Sequence, residues 1–313
     1  MFNYMKSLKE YISEVLLSEG LLDRVKNKEV NHDAVIEEFL KKNYRIKGSY
    51  TIKETKSGFV VDVKGDVKVK NKNIASLTNE LFEFGVVSGD FKCFDCSSLT
   101  SLEGAPREVG KEFNCSGCDS LKTLEGAPEK VIDYFVCSSC PSLTTLEGAP
   151  KEVGGLNCSH CESLISLEGT PQKIVYGFEC VNCKSLRTLE GVPEKINACF
   201  FCSKCVSLKS LEGAPKEVGL DFECYDCISL ISLKGAPQKV GRDFVGSYCE
   251  SLKTLEGAPK EVGGDFICFN CKSLKTLEYA PQKVGGKFDC YNCGIEFTED
   301  DVKKYTNAKK IVV

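Results

Sequence analysis

The stretch FNCSGCDSLKTLEGAPEKV, residues 113–131, decides the fold because the chain repeats it almost from end to end. The second cysteine of each copy falls at residues 96, 118, 140, 161, 183, 205, 227, 249, 271 and 293, so eight intervals are 22 residues long and one is 21. A fixed period of about 20–29 residues is typical of solenoids, in which each coil buries its apolar side chains only against its neighbours. We therefore predict a solenoid of about ten 22-residue coils.

Each repeat also indicates the local path of one coil. Phe113 and Cys115 alternate with polar neighbours, which predicts a short strand with these two side chains inside. Three apolar residues follow at a spacing of three, which favours a bent return path: Cys118, Leu121 and Leu124. The Gly-Ala-Pro triplet then turns the chain, because glycine accepts unusual dihedral angles and proline blocks a continuing helix or strand. We predict one strand per coil and no α-helix within the repeats.

This pattern resembles the leucine-rich repeats. The phrase FNCSGCDSL fits the form L-x-L-x-x-N/C-x-x-L, with Phe113 and Cys115 at the strand positions and Cys118 at the Asn/Cys position. The longer phrase around SLEGAP resembles the BspA-like repeats of bacteria and the repeat proteins of tailed phages. The resemblance covers about residues 58–293. It implies a mainly β, right-handed leucine-rich-repeat-like solenoid, a phage origin and a general binding scaffold.

The two ends of the chain differ from the repeats. Helical spacing at 5–17 and 31–43 predicts a small helical region, and strands at 49–54 and 58–64 predict a hairpin. Residues 61–77 keep the spacing of the apolar residues without the cysteines and are interpreted as a degenerate first coil. The predicted division is a helical region at 1–48, a hairpin and degenerate coil at 49–77, the repeat array at 78–293 and a C-terminal cap at 294–313.

A capping helix is predicted at the C-terminal end. Thr298 and Asp301 have the spacing of a capping box, which would open a short helix running through Lys304. Solenoids need such caps, because the last coil has no neighbour to cover it.

The repeated CxxC pairs allow three interpretations: packing thiols, a zinc or iron–sulfur site, or disulfides. Their spacing matches that of zinc sites, but stacking would place equivalent cysteines in internal columns, where cysteine packs as a small apolar residue. Gly246 replaces the first cysteine of one coil without disturbing the period. We expect structural thiols and no bound metal, and the residues chosen to represent them are Cys115, Cys118, Cys137, Cys140, Cys180 and Cys183. Cys199 lies outside the motif and is a candidate free thiol.

Composition argues against several classes of function. The chain of 313 residues has 41 basic and 45 acidic residues, so its formal net charge of −4 gives no reason to expect nucleic acid or an anionic membrane as partner. No long apolar run or signal peptide is found, which predicts a cytoplasmic location. The resemblance to phage repeat proteins implies that the cell is a bacterial host, with association with a virion as the alternative. No catalytic or cofactor-binding motif is present, and His160 is interpreted as a solvated turn residue. We expect no enzymatic activity and no cofactor.

The outward side of the strand stack is the predicted binding surface. Aromatic and apolar residues gather in its C-terminal half, accompanied by carboxylates, which is typical of an interface core with a polar rim. The predicted partner-binding residues are Phe201, Asp221, Glu223, Tyr225, Asp243, Asp265, Ile267, Phe269, Asp289 and Tyr291. The alternative is that β-propensity alone places such residues on strand surfaces. The expected partner is a protein of the host or of a phage.

Two other functions compete with this one. The first is a zinc-binding repeat protein, on the spacing of the CxxC pairs. The second is a structural, self-assembling component of a virion. Residues 17–20, Leu-Ser-Glu-Gly, resemble the cleavage pattern of phage prohead proteases, and this resemblance would place the protein in a capsid.

Overall fold

The computed structural model describes residues 31–313 and shows a parallel β-solenoid of about 12 turns. Two helices are present in this part of the chain, α1 (His32–Asn43) and α2 (Glu299–Lys303). The strands are β1 (Tyr44–Thr55), β2 (Gly58–Val69), β3 (Glu83–Val87), β4 (Phe91–Lys92), β5 (Glu108–Val109), β6 (Phe113–Asn114), β7 (Lys130–Val136), β8 (Glu152–Asn157), β9 (Lys173–Glu179), β10 (Lys195–Ile196), β11 (Cys199–Phe201), β12 (Glu217–Val218), β13 (Phe222–Glu223), β14 (Lys239–Val240), β15 (Phe244–Val245), β16 (Glu261–Val262), β17 (Phe266–Ile267), β18 (Lys283–Val284), β19 (Lys287–Asp289) and β20 (Lys310–Val312).

Helix α1 lies at the N-terminal end of the described chain and confirms the helix predicted at 31–43. The side chain of Asn31 caps it by accepting a hydrogen bond from the backbone N–H of Ala34. The predicted apolar stripe is buried, and its members are Val35, Ile36, Phe39 and Leu40. The helix predicted at 5–17 lies outside the described residues.

A long hairpin joins α1 to the repeats. Strands β1 and β2 pair antiparallel over twelve residues each, so β1 begins at Tyr44 and is longer than the predicted strand at 49–54. Strand β2 is also the first coil, because its two halves pair in parallel with β3 and β4. Val61 is opposite Phe84 and Val67 is opposite Phe91. The degenerate coil predicted from the sequence therefore shares its strand with the hairpin.

Most coils contain two strands, so the prediction of one strand per coil was wrong. The valine strand is formed by a charged residue and the valine or isoleucine that follows it, as in Glu217–Val218. The phenylalanine strand comes four residues later, as in Phe222–Glu223. Both types stack in register, with Val218 opposite Val240 and Phe222 opposite Phe244. The valine strands of the C-terminal coils form a separate five-stranded sheet.

A glycine allows the tight corner between the two strands. The N–H of Gly241 donates to the carbonyl of Val218, and a Cβ at residue 241 would stand 1.9 Å from the carbonyl oxygen of Gly219. Only a residue without a side chain fits there. In the 21-residue coil one residue is missing at this corner, and the two strands form the continuous strand β8, as they also do in the adjacent strands β7 and β9.

The core is built of columns that run along the solenoid. Phe200, Phe222 and Phe244 are fully buried, with ring centroids 5.7 and 5.3 Å apart and planes tilted by 15° and 10°. Inside the return paths, two fully buried leucines per coil form parallel columns, for example Leu230 and Leu233. Equivalent residues of adjacent coils therefore pack on one another, as expected for a solenoid.

The C-terminal cap contains the predicted helix and an additional strand. Thr298 and Asp301 form a reciprocal capping box at the start of α2, which confirms that prediction, and Val302 is fully buried. Strand β20 then pairs in parallel with β19, with Ile311 opposite Phe288. The sequence analysis missed this strand, because a short terminal segment becomes a strand only through its pairing partner.

Candidate functional site

The second cysteine of each pair donates a hydrogen bond to the coil before it. The Sγ atom of Cys118 lies 3.4 Å from the carbonyl oxygen of Cys93, and that of Cys140 lies 3.4 Å from the carbonyl oxygen of Cys115. The same contact occurs in the following coils. These carbonyls accept no backbone N–H from the described residues. The thiol therefore satisfies a buried acceptor that the turn would leave unpaired.

The coil without a first cysteine shows that the acceptor belongs to the backbone. Cys271 Sγ lies 3.3 Å from the carbonyl oxygen of Gly246, in the same geometry. The contact is therefore kept when the first cysteine is replaced. This explains why Gly246 does not disturb the period.

Between the two cysteines the chain adopts the left-handed conformation in every repeat. The residues concerned are Asp95, Gly117, Ser139, His160, Asn182, Lys204, Asp226, Tyr248, Asn270 and Asn292. Asn, Asp and Gly tolerate this conformation best. His160 is exposed there, and its Nδ1 lies 3.0 Å from Nδ2 of Asn182. It is a turn residue in the structure, as the sequence indicated.

Burial makes most of these thiols weak acids, whereas hydrogen bonds from neighbouring thiols lower the pKa of Cys96, Cys205 and Cys293. All six thiols chosen to represent the columns are fully buried. Burial raises the pKa of five thiols well above the ordinary value, namely Cys93, Cys115, Cys137, Cys202 and Cys227. Contact with a neighbouring thiol, together with burial, raises the pKa of five more, namely Cys118, Cys180, Cys183, Cys224 and Cys268. Residues 31–313 contain no cluster of three or more His, Cys, Asp or Glu side chains arranged to hold a metal ion.

We expect a thiol-specific maleimide to modify two of the 20 cysteines rapidly in the native protein, because only Cys199 and Cys293 are half-buried rather than buried. The remaining thiols should react only after denaturation. Mass spectrometry of the labelled chain would measure this. Cys199→Ser is the control and should lower the native count to one, whereas rapid labelling of the repeat thiols would contradict the buried columns.

The strand face is defined as the outward side chains of the phenylalanine strands and of the residues that follow them. Phe201, Glu223 and Ile267 lie in its central column, where they are half-buried. Tyr225 is half-buried in the column beside them, and Tyr291 in that column is exposed. The structure thus brings these predicted residues together on one surface of a single parallel sheet.

The predicted aspartates have a role within the fold. Oδ1 of Asp221 accepts the backbone N–H of Asp243, and Asp243 in turn accepts the N–H of Asp265 at 2.8 Å. Oδ1 of Asp265 accepts the N–H of Lys287 at 2.7 Å. These carboxylates tie each coil to the next at the corner, so only the second oxygens of Asp243 and Asp265 are open to a partner. Asp289 is mostly buried and accepts the N–H of Tyr291.

Side chains around the aromatic residues hold them in place. The Nζ atom of Lys204 lies 5.7 Å from the centroid of the Tyr225 ring. Phe269, half-buried two coils further along, meets the ring of Tyr248 edge to face at 5.1 Å. Two small serines alternate with the aromatic residues in this column, Ser203 and Ser247, and both are almost completely buried. The large side chains therefore have fixed neighbours before any partner arrives.

Sequence reasoning missed an ionic contact at the corner. Arg242 makes a two-point contact with the carboxylate of Asp221, with Nε 2.6 Å from Oδ1. Cys199 lies 3.7 Å from the other oxygen of the same carboxylate, and burial raises the pKa of this thiol. The candidate free thiol is thus part of a polar cluster.

A second exposed apolar group lies at the short coil. Tyr134 and Tyr176 stack with centroids 6.2 Å apart, and a Cβ on Gly155 would meet the ring of Tyr134 at 2.4 Å. The two rings lie over Gly154 and Gly155 of the short coil, where there is no side chain to exclude them. The single 21-residue interval was the signal in the sequence that could have revealed this group.

The fold and the strand face define the chain as a parallel β-solenoid repeat protein rich in buried thiols. No protein-family description matches it, and neither a curated protein nor a solved structure is significantly similar. Among the described residues, neither helix has the length and apolar character needed to cross a membrane.

Proposed function

We propose that the chain is a non-enzymatic, protein-binding repeat scaffold that takes its partner on the strand face. The observation that carries this proposal is the set of half-buried aromatic and apolar side chains on the C-terminal coils, including Phe201, Tyr225 and Phe269. Aromatic side chains held on a rigid surface are typical of binding hot spots. In line with the resemblance to phage repeat proteins, we place the protein in a bacterial host or its phage.

Half-buried carboxylates next to the aromatic residues favour a partner with positive charge. Burial raises the pKa of Glu223, with further contributions from Asp221 and Asp243. No cation among the described residues offsets these influences on Glu223. A cationic side chain of a partner would relieve this unfavourable environment.

The double substitution Tyr225→Ala with Phe269→Ala should abolish capture of the partner, because it removes the aromatic contacts of the strand face. Neither residue belongs to the buried core, so the melting temperature should change little, as for surface substitutions costing about 0.5 kcal/mol each. Affinity capture from the native host with the wild-type and variant chains, together with thermal melts, would measure both effects.

The matched control is Ile165→Ala with Ile231→Ala. These two side chains are 51% and 45% exposed and belong to the return paths of their coils. This control should capture the partner normally. If the aromatic variant captures the same partner as the wild type, the strand face is not the binding surface. A much lower melting temperature would instead mean that the two rings belong to the core.

A further inference from the structure

The net charge of the whole chain conceals a strong local asymmetry. Residues 41–72 carry ten Lys or Arg and three Asp or Glu, a net charge of +7, although the complete chain has −4. Two of these three carboxylates are used within the fold, because Asp62 and Asp66 accept the backbone N–H groups of Val86 and Asp90. The hairpin end of the solenoid is therefore basic.

The basic end belongs to the same face as the predicted binding residues. Strand pairing places one outward residue of each strand in a continuous central column, whose first members are Arg45, Lys68 and Lys92. The complete column is Arg45, Lys68, Lys92, Asn114, Val136, Asn157, Glu179, Phe201, Glu223, Val245, Ile267 and Asp289.

The order of charges along this column is self-complementary. Counting outward from Val136 in both directions, Asn114 is matched by Asn157 and Lys92 by Glu179. The next steps match Lys68 with Phe201, and Arg45 with Glu223. Each cation thus has a carboxylate or an aromatic ring as its counterpart, which is what a two-fold axis through Val136 requires.

We infer that the strand face binds a second copy of this chain, antiparallel to the first, with the two-fold axis at Val136. This inference rests on the proposed function in that it uses the same face and names the partner of its central part. Ile267, Phe269 and Tyr291 lie beyond the paired segment and stay open for a different protein.

The size of the surface agrees with a stable dimer. Arg45 to Glu223 spans eight coil spacings, which is roughly 40 Å of sheet at about 4.8 Å each. Three columns of side chains make this strip about 15–20 Å wide, which gives roughly 600–800 Å² on each partner, close to the ordinary size of a specific interface. A parallel arrangement would instead bring the two basic ends together.

A long polyanion fits this face less well than a second copy. Beyond the hairpin, the central column presents no further basic residue after Lys92, and Glu179 and Glu223 follow on the same surface. These carboxylates would repel the phosphates of a nucleic acid laid along the column. Only a partner that is acidic at one end and basic at the other matches the whole strip.

The test is the molar mass of the purified chain at low ionic strength, measured by light scattering and sedimentation. The wild type should be a dimer. Arg45→Glu should halve the mass, and so should Glu223→Lys, because each variant puts like charges opposite each other at both ends of the paired segment. An equimolar mixture of the two variants should return to the dimer mass, since both end contacts are again complementary. Lys209→Glu with Lys253→Glu, exposed on the return paths, is the matched control and should stay dimeric.

A cysteine placed on the proposed axis gives an independent reading of the geometry. In a chain that also carries Cys199→Ser and Cys293→Ser, Val136→Cys should cross-link two chains with a short bifunctional maleimide. Val245→Cys in the same background should not, since its copies would lie far apart. A monomeric wild type, assembly beyond a dimer, charge variants that remain dimeric, or cross-linking through both cysteines would overturn the inference. So would a monomer that binds a single-stranded oligonucleotide through Arg45 and Lys68.

These outcomes separate the inference from the proposed function. If the wild type is monomeric and still captures a protein through Tyr225 and Phe269, only the inference fails. If the charge-swapped mixture dimerises, and the variant substituted at Tyr225 and Phe269 still captures every protein that the wild type captures, only the proposed function fails.

Discussion

Raising the pH of the reduced protein from neutral to about 9.5 should unfold the solenoid cooperatively. The unfolded chain releases its thiol protons near the ordinary cysteine pKa of about 8.5. The native chain keeps them, because burial and contact between thiols raise the pKa of at least ten cysteines well above that value. Above the unfolded pKa the unfolded state therefore binds fewer protons than the native state, and the free energy of unfolding falls as the pH rises.

The expected loss is large compared with the stability of ordinary domains. Each strongly shifted thiol removes about 1.4 kcal/mol per pH unit above about 8.5, so ten remove roughly 14 kcal/mol per unit. Globular domains typically have about 5–15 kcal/mol in total. Below about pH 7.5 these ten thiols are protonated in both states, and their contribution to stability is constant.

Circular dichroism at a series of pH values, in the presence of a reductant, would measure this transition. Return to neutral pH should restore the spectrum, which separates titration from chemical damage. A zinc-thiolate protein would behave in the opposite way, because acid protonates its ligands and a chelator removes its metal. A chain that stays folded at about pH 9.5 but unfolds on acidification or chelation would contradict the interpretation of the cysteines as packing thiols.

Phe222→Ala should lower the free energy of unfolding by about 3–5 kcal/mol, the range for removal of a buried aromatic ring. The ring of Phe222 is fully buried between those of Phe200 and Phe244, so its removal leaves a cavity in the column and ends two stacking contacts. Urea denaturation would measure the loss. Hydrogen exchange should show it first in the coils next to residue 222, because each coil contacts only its neighbours.

Phe222→Leu is the matched control, because the chain itself uses leucine at this position in another coil. Leu156 is fully buried and stands in register with Phe135. The leucine variant should therefore cost about 1 kcal/mol, in the range of swaps that largely conserve volume. Equal losses for alanine and leucine would show that the stacked rings, rather than the filled volume, stabilise the column.

The period and the composition of the repeats were sufficient to predict the solenoid, its buried thiols and leucines, and both caps described here. They did not reveal the valine strand. A dipeptide such as Glu217–Val218 has no strand signal of its own, and it becomes a strand only because Val240 pairs with it in the next coil. The need for a glycine at the corner could not be predicted either, because the group that excludes a side chain there is a carbonyl of the neighbouring coil.

The candidate site, like the fold, could be predicted from the sequence only in part. The outward columns could be listed from the sequence, and the structure places them on one surface. It also showed that Asp221, Asp243 and Asp265 bind backbone N–H groups of the following coil, which no pattern in a single repeat could indicate. The basic end of the strand face, with Arg45 beside Lys68, was hidden because the hairpin reverses the chain and brings distant residues side by side.

The sequence by itself determined that the chain winds into stacked coils, because a strict period in apolar residues can be buried only by repetition against itself. Only the tertiary structure decided which backbone groups the thiols and aspartates satisfy, and which charges line up along the strand face. Those relations join residues about 22 or more positions apart, and hydrogen bonds and charge pairs depend on distances that arise only once the coils are stacked.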